Sequence, residues 1–184
     1  MATNLGQLPR AIFGGATIAT ADVETSAITG AKVAANTIAT ADLDISTIQT
    51  AEVALTNTNV LALRATPITL VAAPGAGKML EFISAILIFD YTGAYTESTA
   101  NLAVRYTDGS GTIVSQAIEA TGFADATADT STNALAKIDV ISAKTACENK
   151  ALVLHNTGAG EWGAGNAANV IRVKVAYRVW STGW

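Results

Sequence analysis

Cysteine is almost missing from this chain. The single one, Cys147, excludes an intrachain disulfide and gives no reason to expect an oxidising compartment. Histidine is equally scarce: His155 is alone, and a general base or a metal ligand needs partners that the sequence does not set beside it. Charge is low at 14 %, and the net charge of −4 comes without any basic stripe, so nucleic acid is not an expected partner. Long apolar runs are also lacking. The longest lies within residues 83–89 and is broken by Ser84, far too short to span a bilayer, so no membrane partner is expected. The opening MATNLGQLPR lacks a basic region followed by an apolar one, and no secretory leader is expected from it. Aromatics make up only 6 %, and Phe13 is the only one before Phe82. The first eighty residues therefore have little with which to build a core of their own. In all, 184 residues leave room for one ordinary domain and an appendage.

What the chain does have is a repeat. Residues 15–54 read as four decapeptides, GATIATADVE, TSAITGAKVA, ANTIATADLD and ISTIQTAEVA. Isoleucine recurs at Ile18, Ile28, Ile38 and Ile48, and a second apolar residue at Val23, Val33, Leu43 and Val53. A charged residue precedes each of the latter: Asp22, Lys32, Asp42 and Glu52. A fixed period of this kind marks a repeat architecture. Apolar groups five residues apart turn by about 500° on a helix, and on a flat strand they alternate between faces. Neither element alone gathers them on one side. A broken element does: a short extended piece around each Ile, then one helical turn with Thr20, Thr40 or Thr50 at its N-cap and Gly30 in the second unit. Burying a Val or Ile side chain yields roughly 1.5–3 kcal/mol. Ordering each backbone residue costs roughly 1–2 kcal/mol. Eight such side chains cannot hold forty residues in place. The expectation is an intertwined homotrimer with Ile18, Val23, Ile28, Val33, Ile38, Leu43, Ile48 and Val53 at its axis; the alternative is a flexible Ala/Thr-rich linker. Ahead of the repeats, residues 1–14 carry Pro9, Arg10, Ile12 and Phe13, which read either as a docking hook or as a disordered terminus.

Beyond a transition at residues 55–65 the period changes to two. Ile68, Leu70 and Val71 predict a short strand. Residues 80–91 are almost continuously apolar, which predicts a central strand covered on both faces. Leu102, Val104 and Tyr106 alternate with smaller or polar residues, and Asp108-Gly109-Ser110-Gly111 predicts a hairpin into a strand over 113–118. Residues 151–155 predict another strand. Residues 170–180 alternate most cleanly, with Ile171, Val173, Val175, Tyr177 and Val179 on one side and Arg172, Lys174 and Arg178 on the other. These three cations read as a solvated face or as partners for a neighbour's acids. Residues 124–149 fit a helix or a strand with a loop, the strand being preferred. Residues 156–169 form a glycine-rich loop around Trp162, which reads as an outer contact loop or as packing across a subunit boundary, as does Trp184 at the end of the chain. The expected fold is all-β: a C-terminal β-sandwich, jelly-roll-like, over residues 66–184, preceded by a short extended decapeptide stalk over 15–54.

Chemistry is sparse. Residues 72–78, AAPGAGK, approach a phosphate-binding loop, but Ala72 stands where the motif needs Gly and Met79 where it needs Ser or Thr, so a turn between strands is expected. Cys147 lacks a neighbouring base and reads as a small buried residue. Asp125 and Asp129 lack calcium-loop spacing. No catalytic residue, cofactor or metal is expected.

The tandem I-x-T-A-D/K/E-V/L decapeptides, followed by LRATPITLVAAPGAGKMLEFISAILIFDY and KALVLHNTGAGEWGAGNAANVIRVKVAYRVW, resemble proteins of tailed-phage and prophage structural modules. The resemblance covers most of the chain beyond residue 15 and implies trimeric virion proteins: head fibres, capsid decoration or cement proteins, and short tail fibres. It implies a non-enzymatic role, with self and a major capsid or other virion protein as partners, and a place in the virion after assembly in the host cytoplasm. A receptor-binding tail tip is the alternative. A polysaccharide-degrading tailspike would need paired carboxylates on a long parallel β-helix, for which this chain is too short.

Overall fold

The structure, a computed structural model, describes residues 47–97 and 101–183. The expected hook (Pro9, Arg10, Ile12, Phe13), the axis positions Ile18, Val23, Ile28, Val33, Ile38 and Leu43, and Trp184 lie outside the described residues.

In chain order the described elements are β1 (Gln49–Thr56), α1 (Asn57–Val60), β2 (Ile68–Val71), β3 (Lys78–Asp90), β4 (Tyr95–Thr96), β5 (Leu102–Tyr106), β6 (Thr130–Leu135), α2 (Lys144–Cys147), β7 (Leu152–Asn156), β8 (Gly163–Ala164) and β9 (Val170–Ser181). The described residues are thus mostly β, with two helices of a single turn among them. Every strand pairing is antiparallel. One sheet runs β1-β9-β3-β6, a second β2-β7-β5, and β4-β8 form a small ribbon.

β3 and β9 are the spine. Twelve of the thirteen residues of β3 pair along β9, from Lys78↔Ser181 to Asp90↔Val170. A bulge between Phe82 and Ser84 inserts Ile83 and shifts the side-chain parity. That shift keeps Leu80 and Phe82 on the buried side before it, and Ala85, Leu87 and Phe89 on the same side after it. The continuous apolar run therefore does not make a strand covered on both faces, as the sequence suggested. One face is core, and on the other Ile86 is 46 % exposed.

β1 corrects the reading of the fourth decapeptide. Thr50 begins no helical turn, because Gln49–Thr56 is a strand paired residue for residue with β9, from Gln49↔Tyr177 to Thr56↔Val170. Within one unit Ala51, Val53 and Leu55 alternate with period two, and the long edge of β9 uses that alternation directly. Val53, expected at a trimer axis, packs against the core of its own chain, while Ile48 just ahead of the strand is exposed. The first N-cap among the described residues falls at Thr56. Its hydroxyl accepts from the Asn59 N–H at 3.4 Å and the Asn59 side chain accepts from the Thr56 N–H at 3.0 Å, a capping box that starts α1. The turn exists to lower Val60 and Leu63, both fully buried, into the core.

Inward residues of both main sheets, with Phe123, Ile118 and Trp162, belong to one buried cluster. Phe89 is its centre, with ring centroids of Tyr95 at 5.5 Å and of Tyr91 and Phe123 at 6.0 Å.

Two expected segments take a different form. Residues 113–118 make a broken ladder rather than a strand, with isolated bridges Arg105↔Ile113, Leu102↔Ile118 and Ser115↔Ala136. Ser115 causes the break: its hydroxyl accepts the Val104 N–H at 2.9 Å, a bond a regular strand would give to a carbonyl. Residues 124–149 resolve into β6, a loop and the short α2, in partial agreement with the preferred strand.

Candidate functional site

With no described cluster of catalytic type, the candidate site is a surface: the outer face of the β1-β9-β3-β6 sheet, where the decapeptide enters the fold. Alternation along β9 places Arg172, Lys174 and Arg178 outward. The sequence left open whether they are solvated or reach a neighbour's acids. They pair with acids on the flanking strands of the same chain. Lys174 Nζ lies 3.5 Å from Glu52 on β1, Arg178 Nη1 3.7 Å from Glu81 on β3, and Arg172 bonds Asp90. Trp180 Nε1 donates to the same Glu81 at 2.7 Å. Half-exposed pairs of this kind hold each other loosely. They do leave the face without a pattern of unpaired charge. Between them Ile86, Leu135 and Trp180 stand 46 %, 60 % and 40 % exposed.

The second sheet is covered on its outer side along β7. All five residues of β7 are buried, including Val153 and His155, which point away from Leu152 and Leu154. The hairpin at 107–112 covers them. Asp108 Oδ1 accepts the Ser110 N–H at 2.8 Å, and the Arg105 Nε donates to the Gly111 carbonyl at 3.1 Å. The Gly109 backbone comes so near that a Cβ there would stand 2.6 Å from His155 Nε2. His155 Nδ1 lies 3.2 Å from Arg105 Nη1. Burial pushes the imidazole below its ordinary value, and the Arg105 and Arg64 charges push it further. A neutral imidazole beside guanidinium and under a loop is a packing group. The same hairpin lowers the Asp108 carboxyl through the Ser110 hydrogen bonds.

The remaining expectations fall as follows. Residues 72–77 form the loop between β2 and β3, with Gly75 and Gly77 at φ 97° and 70°. Their N–H groups are already taken, by Asn149 Oδ1 at 2.9 Å and by Glu148 Oε1 at 2.7 Å. A carboxylate on the loop and a strand after it are the opposite of a phosphate cradle. Cys147 is buried, its thiol donating to the Ala143 carbonyl at 3.4 Å. Asp125 and Asp129 do not act together: the first accepts the Gly122 N–H, the second the Tyr91 N–H at 2.8 Å. Among the described residues no group of three His, Cys, Asp or Glu is placed to hold a metal. No described helix is long and apolar enough to cross a membrane.

Trp162 is a correction. It is 3 % exposed, with its ring centroid 5.9 Å from that of Tyr95 in the same chain, and it neither anchors an outer loop nor crosses a boundary. The loop folds inward because Asn156 and Asn169 close its ends. Asn156 Oδ1 accepts from Gly158, and Asn169 Oδ1 accepts from Thr92 and Gly93 while its Nδ2 donates to the Gly93 carbonyl at 2.7 Å. The Asn-Thr-Gly of the first end is a turn signal legible in the sequence. The long-range clasp of Asn169 has no local signal. Tyr106, which the sequence places only on an alternating strand, donates its hydroxyl to the Leu80 carbonyl, tying the sheets together, and burial pushes its pKa up to about 12.

No family model and no curated protein sequence matches this chain. Among solved structures, a chain of the cyanophage Pam1 capsid asymmetric unit is similar at 18 % identity and a TM-score of 0.39, over 72 % of this chain and 83 % of that one. A chain of the capsid of Ralstonia phage GP4 is similar at 15 % identity and a TM-score of 0.35, over 72 % of this chain and 84 % of that one. The likeness is distant, and no part of the functional reading rests on it.

Proposed function

We propose that this protein is a non-enzymatic structural component of a phage virion: a homotrimeric capsid decoration or cement protein, or head fibre, attached through its N-terminal part. Continuity carries the reading. The last decapeptide enters the four-stranded sheet as β1, so the repeat, whose apolar residues are too few to make a core alone, is continuous in sequence with a strand of a unit that has its own core. In this reading residues 66–184 together with β1 form a β-sandwich. The repeats ahead of Gln49 form an intertwined stalk with Ile18, Val23, Ile28, Val33, Ile38 and Leu43 at its axis. Ile48, 51 % exposed, faces sister chains at the base of that stalk. Pro9, Arg10, Ile12 and Phe13 dock on a major capsid or other virion protein. The outer sheet face supports assembly, because its charges pair with one another within the chain and Ile86, Leu135 and Trp180 stand exposed beside them.

Sedimentation at several concentrations tests the trimer, and a single-chain species throughout would end it. Occupancy of purified capsids by protein lacking residues 1–14 tests the docking, which unchanged binding would overturn. The receptor-binding tail tip loses its proposed anchor with Trp162 buried. Immunogold label on tails rather than heads would restore it.

A further inference from the structure

His155 and Arg105 stand on one face of neighbouring strands. β5 sets Ala103 opposite His155 and Arg105 opposite Val153, so the two side chains are diagonal neighbours. Arg105 is what ties the 107–112 hairpin down. Its Nε donates to the Gly111 carbonyl at 3.1 Å, its Nη1 donates to the Gly109 carbonyl, and the same Nη1 lies 3.2 Å from His155 Nδ1. A guanidinium has no lone pair to offer, so Nδ1 is the bare acceptor and the ring proton sits on Nε2. Gly109 packs over the Nε2 side, where a Cβ would meet Nε2 at 2.6 Å and Cδ2 at 3.0 Å. The hairpin is bent over against strain at its foot, where Thr107, a β-branched residue, is held at φ 67°. Of the charged groups around the ring, Arg105 reaches it from β5, Arg64 from the segment after α1 and Glu161 from the loop after β7, and the two arginines outweigh the acid. Asp108, in the hairpin, acts on Arg105, and β2 brings no charge. Glu161 is already held by the Arg64 and Ala65 N–H groups at 2.9 and 2.7 Å. His155 is 5 % exposed, yet a surface cavity of about 580 Å³ lined by Arg64, Gly109, His155 and Glu161 gives a proton its way in.

We propose that the 107–112 hairpin is an acid-released latch over β7, held shut while neutral His155 accepts from Arg105 and let go when Nδ1 takes a proton. Protonation puts an N–H where Arg105 already donates, so a hydrogen bond is lost and two cations face each other at 3.2 Å. Arg105 relieves this by swinging out, and the Gly109 and Gly111 carbonyls lose their tie to β7 with it. The bonds within the hairpin stay, among them Gly111 N–H to the Asp108 carbonyl at 3.3 Å. The hairpin therefore hinges as a unit at Thr107, whose N–H gives up the Ala151 carbonyl at 2.9 Å, and Val153 and His155 are uncovered. The sign follows from the surroundings: burial and the two arginines disfavour the imidazolium while the latch is shut, so falling pH favours the open form.

The test is hydrogen exchange by NMR on the full chain between pH 7.5 and pH 5.5, with the pH dependence of intrinsic exchange divided out. The Thr107 amide is the reporter, and the amide of Val173, fully buried on β9, is the control. Opening at Thr107 is expected to rise severalfold, with about tenfold as the ceiling for a histidine of ordinary value near 6.5 in the open form, while Val173 keeps its protection. Because His155 is the only histidine, its ring signal gives the titration in the same sample, expected below that ordinary value. His155→Gln keeps an acceptor for Arg105 and takes no proton, so it is expected to stay shut across the range. Flat exchange at Thr107 overturns the proposal, as does a ring that titrates at or above about 6.5. Equal rises at Thr107 and Val173 also overturn it, since the proton would then loosen the whole fold, and so does a rise in His155→Gln that matches the native one. If His155→Gln fails to fold, the ring titration and the Val173 control decide on the native protein alone.

Discussion

β9 and β7 are each the middle strand of their neighbourhood, yet they meet water differently. β7 is buried on both faces, by the core on one side and by the 107–112 hairpin with Arg105 on the other. β9 is buried on one face only, and its outward residues are arginine, lysine, alanine and tryptophan, paired sideways or left exposed. The middle strand of the second sheet is therefore covered within the chain. The first has an open face and takes its edge strand from the repeat.

The contrast can be broken from either side. The largest effect is expected from Leu154→Ala on the core face of β7: the side chain is fully buried, and urea unfolding should show a loss of about 2–5 kcal/mol. A loss under about 1 kcal/mol would mean that this face is less tightly packed than its burial implies. Next comes the seal. A Cβ at Gly111 would collide with the Tyr106 carbonyl oxygen, which is backbone and cannot swing aside. Gly111→Ala should cost about 1–3 kcal/mol and speed hydrogen exchange over the hairpin. Unchanged exchange would show that the hairpin does not close the sheet.

His155 gives a pH-dependent version of the same test. Its folded pKa lies below its unfolded value, so the unfolded chain binds the proton more tightly. Its contribution is complete above the unfolded value, about 6.5, and is lost as pH falls through the folded one. Melting temperature should drop from pH 8 to pH 5 in the native protein, and by less in His155→Gln. Equal slopes would remove His155 from the account. The open face should respond least. Both side chains of the Glu52–Lys174 pair are about half exposed, and Glu52→Gln should cost under about 1 kcal/mol in the isolated protein. A greater loss would show that the ladder, rather than the alternation beneath it, holds β1 in register.

Strand positions were largely legible, since β3, β5, β7 and β9 all lie where apolar runs or alternation placed them. The hairpin at Asp108-Gly109-Ser110-Gly111 was legible from turn chemistry, and the failure of residues 72–78 as a phosphate loop from two wrong residues. Burial was harder to read. Residues 80–91 look covered on both faces because composition does not reveal a bulge at Ile83, and Trp162 looks exposed because its loop is glycine-rich. What pulls that tryptophan inward is Asn169 gripping residues 92 and 93, a contact between segments far apart in the chain.

By itself, the amino-acid sequence determined that the chain is mostly β and that its leading forty residues repeat every ten, because both are local patterns of side-chain chemistry. Only the tertiary structure decided that the last repeat is a strand of the sheet and that one sheet is sealed while the other lies open. Both depend on which edges and loops meet, and the pairing of β1 with β9 joins residues more than a hundred positions apart, which no local period encodes.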